Sequence, residues 1–83
     1  MSRRRQVWLL PIAAIAVDRW PHGPRTLEYA NALAAGVEFP PIHVHLDGSR
    51  WRIRDGRHRL LAHKLVGRRE ILVRASRPER NPR

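Results

Sequence analysis

Eighty-three residues with no cysteine allow one small domain and exclude a disulfide framework, thiolate metal sites and thiol chemistry. Sixteen arginines and one lysine against seven acids give a formal charge of +10, which points to polyanionic partners and away from acidic-protein behaviour. No apolar run reaches the length of a membrane span, and Val7 to Val17 is short and holds Pro11, so a soluble cytoplasmic protein with no membrane partner is expected.

The charge is unevenly placed. Arg3, Arg4 and Arg5 crowd one end, and Arg74, Arg77, Arg80 and Arg83 face only Glu79 at the other. With Pro78, Asn81 and Pro82 breaking any helix, the spacing reads as a basic disordered arm over residues 1–5, a folded domain over 6–74 and a basic Arg/Pro tail over 75–83. Arms of this kind attract nucleic acid by counterion release and carry no base information.

Gln6 to Leu10 has the pattern of a first strand. Pro11 to Val17 then reads as a turn of helix or an extended continuation, with Ile12 and Ile15 toward the core. Asp18 to Pro24 is expected to be a loop, because Pro21 and Pro24 lack donors and Gly23 permits positive φ. Thr26 is placed to cap a helix whose apolar face is Leu27, Ala30, Leu33 and Ala34, ending at Gly36. Trp8, Trp20 and Trp51 read as core or rim aromatics.

Ile42 to Leu46 and Arg50 to Arg54 alternate at period two around Asp47-Gly48-Ser49, a hairpin signal. With Asp47 and Gly48 as the loop, Val44 opposes Trp51 and Ile42 opposes Ile53. A four-residue loop keeps the same two faces. The second face then carries Arg50, Arg52, Arg54, His43 and His45, a cationic surface suited to nucleic acid. The spacing of His43 and His45 suits metal, yet no carboxylate or cysteine completes a set, and no metal site is expected. No apolar stripe is left over that would demand dimerisation.

The most informative stretch is Asp55-Gly56-Arg57-His58-Arg59, between the strand-like Arg50–Arg54 and the helix-like Leu60–Val66 that Gly67 ends. A helix start offers unpaired N–H groups and the positive end of the dipole, and Arg57, His58 and Arg59 add cationic donors. Such a strand-turn-helix is an anion site. Asp55 reads either as the cap of the helix or as a carboxylate that holds Mg²⁺ or accepts a proton beside a bound nucleotide. His63 lies one turn after Arg59 on the same flank.

These residues resemble the ParB/sulfiredoxin superfamily. The resemblance rests on Ile53 to Ala62, Leu65-Val66-Gly67 and Glu70 to Val73, and upstream on Leu10-Pro11-Ile12, Pro24-Arg25 and Pro40 to Val44 in the family's order. It implies an α+β fold: a small ParB/sulfiredoxin-like single domain, a mixed sheet with a central hairpin packed by two helices. It implies a nucleoside triphosphate, CTP or ATP with Mg²⁺, held at Gly56, Arg57, His58 and Arg59, with Arg25 on the second side of the phosphates. The sulfiredoxin reaction is excluded, since that branch carries a cysteine where this chain has Arg57.

The function implied is a ParB-like nucleotide-phosphate-binding module associating with DNA without sequence specificity, in the manner of small phage or plasmid proteins. A homodimer or a larger protein partner stays open. One alternative is enzymatic. The turn is similar to the Asp-Gly-His-His-Arg of the superfamily's free serine kinases, which makes Asp55 the candidate catalytic residue of an NTPase or phosphotransferase. A nuclease is disfavoured, because no carboxylate cluster would hold paired metals. A further alternative is a basic adaptor docking on a nucleoprotein assembly without nucleotide.

Overall fold

The computed structural model describes residues 6–75. The basic arm with Arg3, Arg4 and Arg5, and the tail beyond Ala75, lie outside the described residues. The elements run β1 (Gln6–Pro11), a 3₁₀ turn (Ile12–Ala14), β2 (Ile15–Ala16), α1 (Pro24–Ala34), β3 (Ile42–Asp47), β4 (Arg50–Asp55), α2 (Arg57–Leu65) and β5 (Glu70–Ala75). This is an α+β domain with one mixed sheet in the order β1-β5-β3-β4-β2. Pairs β1/β5 and β3/β4 are antiparallel, and β3/β5 and β2/β4 parallel.

Period-two alternation selects the buried face. Leu10, Ile42, Val44, Ile53, Ile71 and Val73 point inward and pack with Ile12, Ile15 and Leu60. The indoles of Trp8 on β1 and Trp51 on β4 meet edge to face at 5.3 Å over this core. Helix α2 is the element whose side chain enters that core, through the fully buried Leu60. Helix α1 packs principally on α2, where Ala30, Leu33 and Ala62 form a second small cluster with Tyr29, Phe39 and Val66.

Three local expectations are corrected. The hairpin loop is Gly48-Ser49, with Asp47 paired to Arg50 in the ladder, so Val44 opposes Ile53 and Leu46 opposes Trp51. The shift is two residues and the faces are kept. The reason is Gly48, whose φ of 67° takes the first position of a two-residue Gly48-Ser49 loop and leaves Asp47 in the ladder; Arg52 Nε donates to Asp47 at 2.8 Å across the finished hairpin. Secondly, α1 starts at Pro24, the favoured first helical position, with Gly23 before it. Thr26 therefore lies inside the first turn and caps nothing. Thirdly, the buried stripe of α1 is Thr26, Ala30 and Leu33, whereas Leu27 is 59% exposed and Ala34 is exposed.

Among the described residues no helix is long and apolar enough to cross a membrane.

Candidate functional site

The site is built where β4 turns into α2. The turn needs Gly56, whose φ of 112° is left-handed and whose missing Cβ matters as much. A Cβ there would stand 2.6 Å from Ile42 Cγ2, which no packing tolerates. Glycine thus lets α2 begin in contact with the first residue of β3.

No side chain caps α2. Asp55, expected as a cap, is 76% exposed and lies 3.7 Å from Arg59 Nη2 instead. The first N–H groups of the helix consequently have no side-chain acceptor, and the positive end of the dipole is open. Helix α1 likewise begins without a side-chain cap, at Gly23-Pro24-Arg25. The two starts converge on one cavity of about 280 Å³, lined by Pro21, Arg25, Tyr29, Asp55, Gly56, Arg57, His58 and Arg59.

Thr26 locks the two helices together there. It is buried, and its hydroxyl lies 2.9 Å from His58 Nδ1, a bond that spans 32 residues and orients the ring at the cavity wall. A hydroxyl so buried needs a partner, and His58 is that partner. Arg59 is braced rather than free. Its Nη1 donates to the Pro40 carbonyl at 3.1 Å, tying the turn to the segment ahead of β3. Arg25 and Arg57 are exposed at the cavity and have no such anchor among the bonds described.

His63 lies one turn further and points its Nδ1 at the Arg59 carbonyl, 2.7 Å away. Burial holds its pKa below the usual histidine value; the bond to the Arg59 carbonyl opposes this, and the positive charges of Arg68 and Arg59 act with burial. Its imidazole is a neutral part of the α2 packing near neutral pH. Lys64 lies over the Trp20 ring at 5.4 Å, fixing the loop that carries Pro21 against α2.

Sequence reasoning placed Asp55, Gly56, Arg57, His58, Arg59 and Arg25 in one site, and the structure brings all six to this cavity. The loop Pro21 to Arg25, expected from the resemblance to help enclose the nucleotide, contributes Pro21 to the wall as well; Tyr29 in the wall and Thr26 behind His58 were missed. Their signal was the Pro24 helix start, which puts residues 25, 26 and 29 on adjacent faces of one helix. The arginines of β4 lie elsewhere, on the hairpin. Arg52 is held by Asp47 at 2.8 Å and Asp18 at 2.6 Å, which raise its pKa and neutralise much of the expected cationic face. Arg54 sits where the ladder slips by one residue, opposite no β3 residue, and Arg50 pairs with Asp47. Among the described residues no three His, Cys, Asp or Glu side chains are grouped to hold a metal ion.

No family model and no curated protein sequence matches this chain. Solved structures do. The chain is similar to sulfiredoxin from Arabidopsis thaliana, with a TM-score of 0.73 and 20% identity over 88% of this chain and 86% of that one. It is similar to the C-terminally truncated chromosome-partitioning protein ParB from Caulobacter crescentus, crystallised with CTP-γ-S, with a TM-score of 0.74 and 15% identity over 89% of this chain and 46% of that one. It also matches C-terminally truncated SbnI from Staphylococcus aureus, at 0.67 and 21% identity over 88% of this chain and 30% of that one. The chain thus spans less than half of the ParB and SbnI chains that it matches.

Proposed function

The chain has the ParB/sulfiredoxin fold, and from that premise we propose that it binds the phosphates of a nucleoside triphosphate in the cavity between the first turns of α1 and α2. The observation that carries this reading is the uncapped start of α2 facing a cavity lined by Arg25, Arg57, His58 and Arg59. Open N–H groups, an aligned dipole and exposed guanidinium groups together suit a polyphosphate, and bidentate Arg bonds strengthen the hold. The ParB neighbour, crystallised with CTP-γ-S, makes CTP the first nucleotide to test, with ATP second.

Each residue then has a role. Gly56 lets the backbone approach the phosphate, and Arg57 and Arg25 close on it from opposite helices. His58, held by Thr26, presents its free ring nitrogen, while Arg59 keeps the turn in register through Pro40. The cavity fits Mg²⁺ only through Asp55, whose exposed carboxylate would touch an ion carried in on the phosphates. Such an ion would neutralise phosphate charge.

Binding is favoured over turnover. Asp55 is the one carboxylate of the cavity wall among the described residues, so a kinase-like reaction would lack a second carboxylate to activate the acceptor hydroxyl, and a two-metal nuclease would lack ligands for its ions. DNA association, when it occurs, is electrostatic, through Arg50, Arg54 and the arginines of the two ends, and weakens steeply with salt.

Calorimetric titration with CTP, ATP and GTP, with and without Mg²⁺, tests the proposal. The native chain is expected to bind one nucleotide saturably. Arg57→Ala, which touches no core residue, is expected to weaken binding roughly tenfold, by loss of a charge-assisted bond. Heat equal for all polyanions, abolished by salt and indifferent to Arg57, would leave the basic adaptor as the better account.

A further inference from the structure

The outer face of the sheet carries a feature that the nucleotide site does not use. Val7 and Leu9 on β1 are 51% and 57% exposed, and Leu72 on β5 is 39% exposed. Leu9 stands directly opposite Leu72, and Val7 opposite Arg74, so the three apolar side chains form one patch. The sequence pattern hid it, because Leu9 and Leu10 read alike and only the register shows that Leu10 is buried and Leu9 is not.

The patch reaches the edge of the sheet. Among the described residues β1 is an outermost strand, and its second side offers backbone N–H and C=O groups along residues 6–10. Among the described residues that edge has none of the usual guards, since Gln6–Pro11 holds no charged residue and its one proline is the last position. The opposite edge is guarded. There the terminal strand β2 is only two residues long, and β4 beside it carries Arg50, Arg54 and a register slip.

We propose that β1 pairs antiparallel with β1 of a second copy of this chain, about a two-fold axis normal to the sheet, so that the two sheets become one. The strand is complementary to itself in this arrangement. Each copy's Val7 faces the other's Leu9, and the two Leu72 side chains flank the group they form. Charge selects the same orientation. Arg74 lies beside Val7, so the antiparallel pair sets the two Arg74 side chains at opposite corners of the patch, whereas a parallel pair would set them on the same row. The excess charge of +10 per chain opposes association until salt screens it. Dimerisation therefore strengthens with salt, the reverse of polyanion binding.

Sedimentation equilibrium of the native chain, first without nucleotide and then with CTP, over a wide concentration range at low and high salt, is the test. The average mass is expected to rise from that of one chain toward that of two, more readily at high salt. Leu9→Lys puts a charge at the centre of the pairing and is expected to weaken the dimer at least tenfold. Leu65→Lys, at an equally exposed position on α2, is expected to leave it unchanged. Far-ultraviolet circular dichroism of each variant shows that the fold is kept. A chain that stays monomeric throughout overturns the proposal. So does a dimer that survives Leu9→Lys, or one that forms only with nucleotide and is lost in Arg57→Ala, which would place the interface at the cavity.

Discussion

Gly56→Ala is expected to lower the stability of this domain by about 3 kcal/mol. A non-glycine residue in the left-handed region costs about 1 to 2 kcal/mol, and overpacking a filled site costs about 1 to 3 kcal/mol more. Both apply here, with φ at 112° and a notional Cβ 2.6 Å from Ile42 Cγ2. Ile42 is fully buried and has nowhere to move. For a domain of this size that corresponds to a fall of roughly 15 °C in Tm. Thermal unfolding followed by circular dichroism measures it. An unchanged midpoint would mean that the turn relaxes, and that the start of α2 is not held as described. Because the same glycine seats the helix start, the variant is expected to lose nucleotide affinity even at temperatures where it stays folded.

Leu60→Ala is the second large effect. Leu60 is fully buried and is the α2 side chain that enters the main core, among Ile42, Val44 and Val73. Removing it forfeits its transfer energy and leaves a cavity, together about 2 to 5 kcal/mol. A small domain has little reserve, so urea titration is expected to show a much lower midpoint or no native baseline. Leu65→Ala is the control. Leu65 is 57% exposed on the same helix, and its loss is expected to cost under about 0.5 kcal/mol. Equal effects from the two would contradict the placement of α2 on the sheet.

Much of the architecture was legible because each inward face is a run of alternating β-branched or leucine residues closed by a turn signal. Ile42-His43-Val44 and Ile71-Leu72-Val73 read correctly for that reason. What stayed hidden depends on contacts between distant residues. Arg52 leaves the cationic face because Asp47 and Asp18, the latter 34 residues away, both accept from it. Thr26 is neither cap nor surface residue because His58 needs its hydroxyl, 32 residues on. The site was legible in part for a related reason. A strand, a glycine and a basic helix start are local features, so Gly56 to Arg59 could be found from spacing alone. Tyr29 enters the wall only through the packing of α1 on α2. The division of labour between Arg57, free, and Arg59, braced on Pro40, is likewise a property of the folded chain.

The most direct test of the central claim is to follow the backbone amide resonances of Arg57, His58 and Arg59 by NMR while CTP, then ATP, is added with Mg²⁺ at moderate salt. Phosphate at the helix start is expected to move these amides saturably and far more than those of β1, with the Arg25 region following. Small shifts spread over the arginine-rich surface, alike for every polyanion and erased by salt, would contradict a built phosphate site.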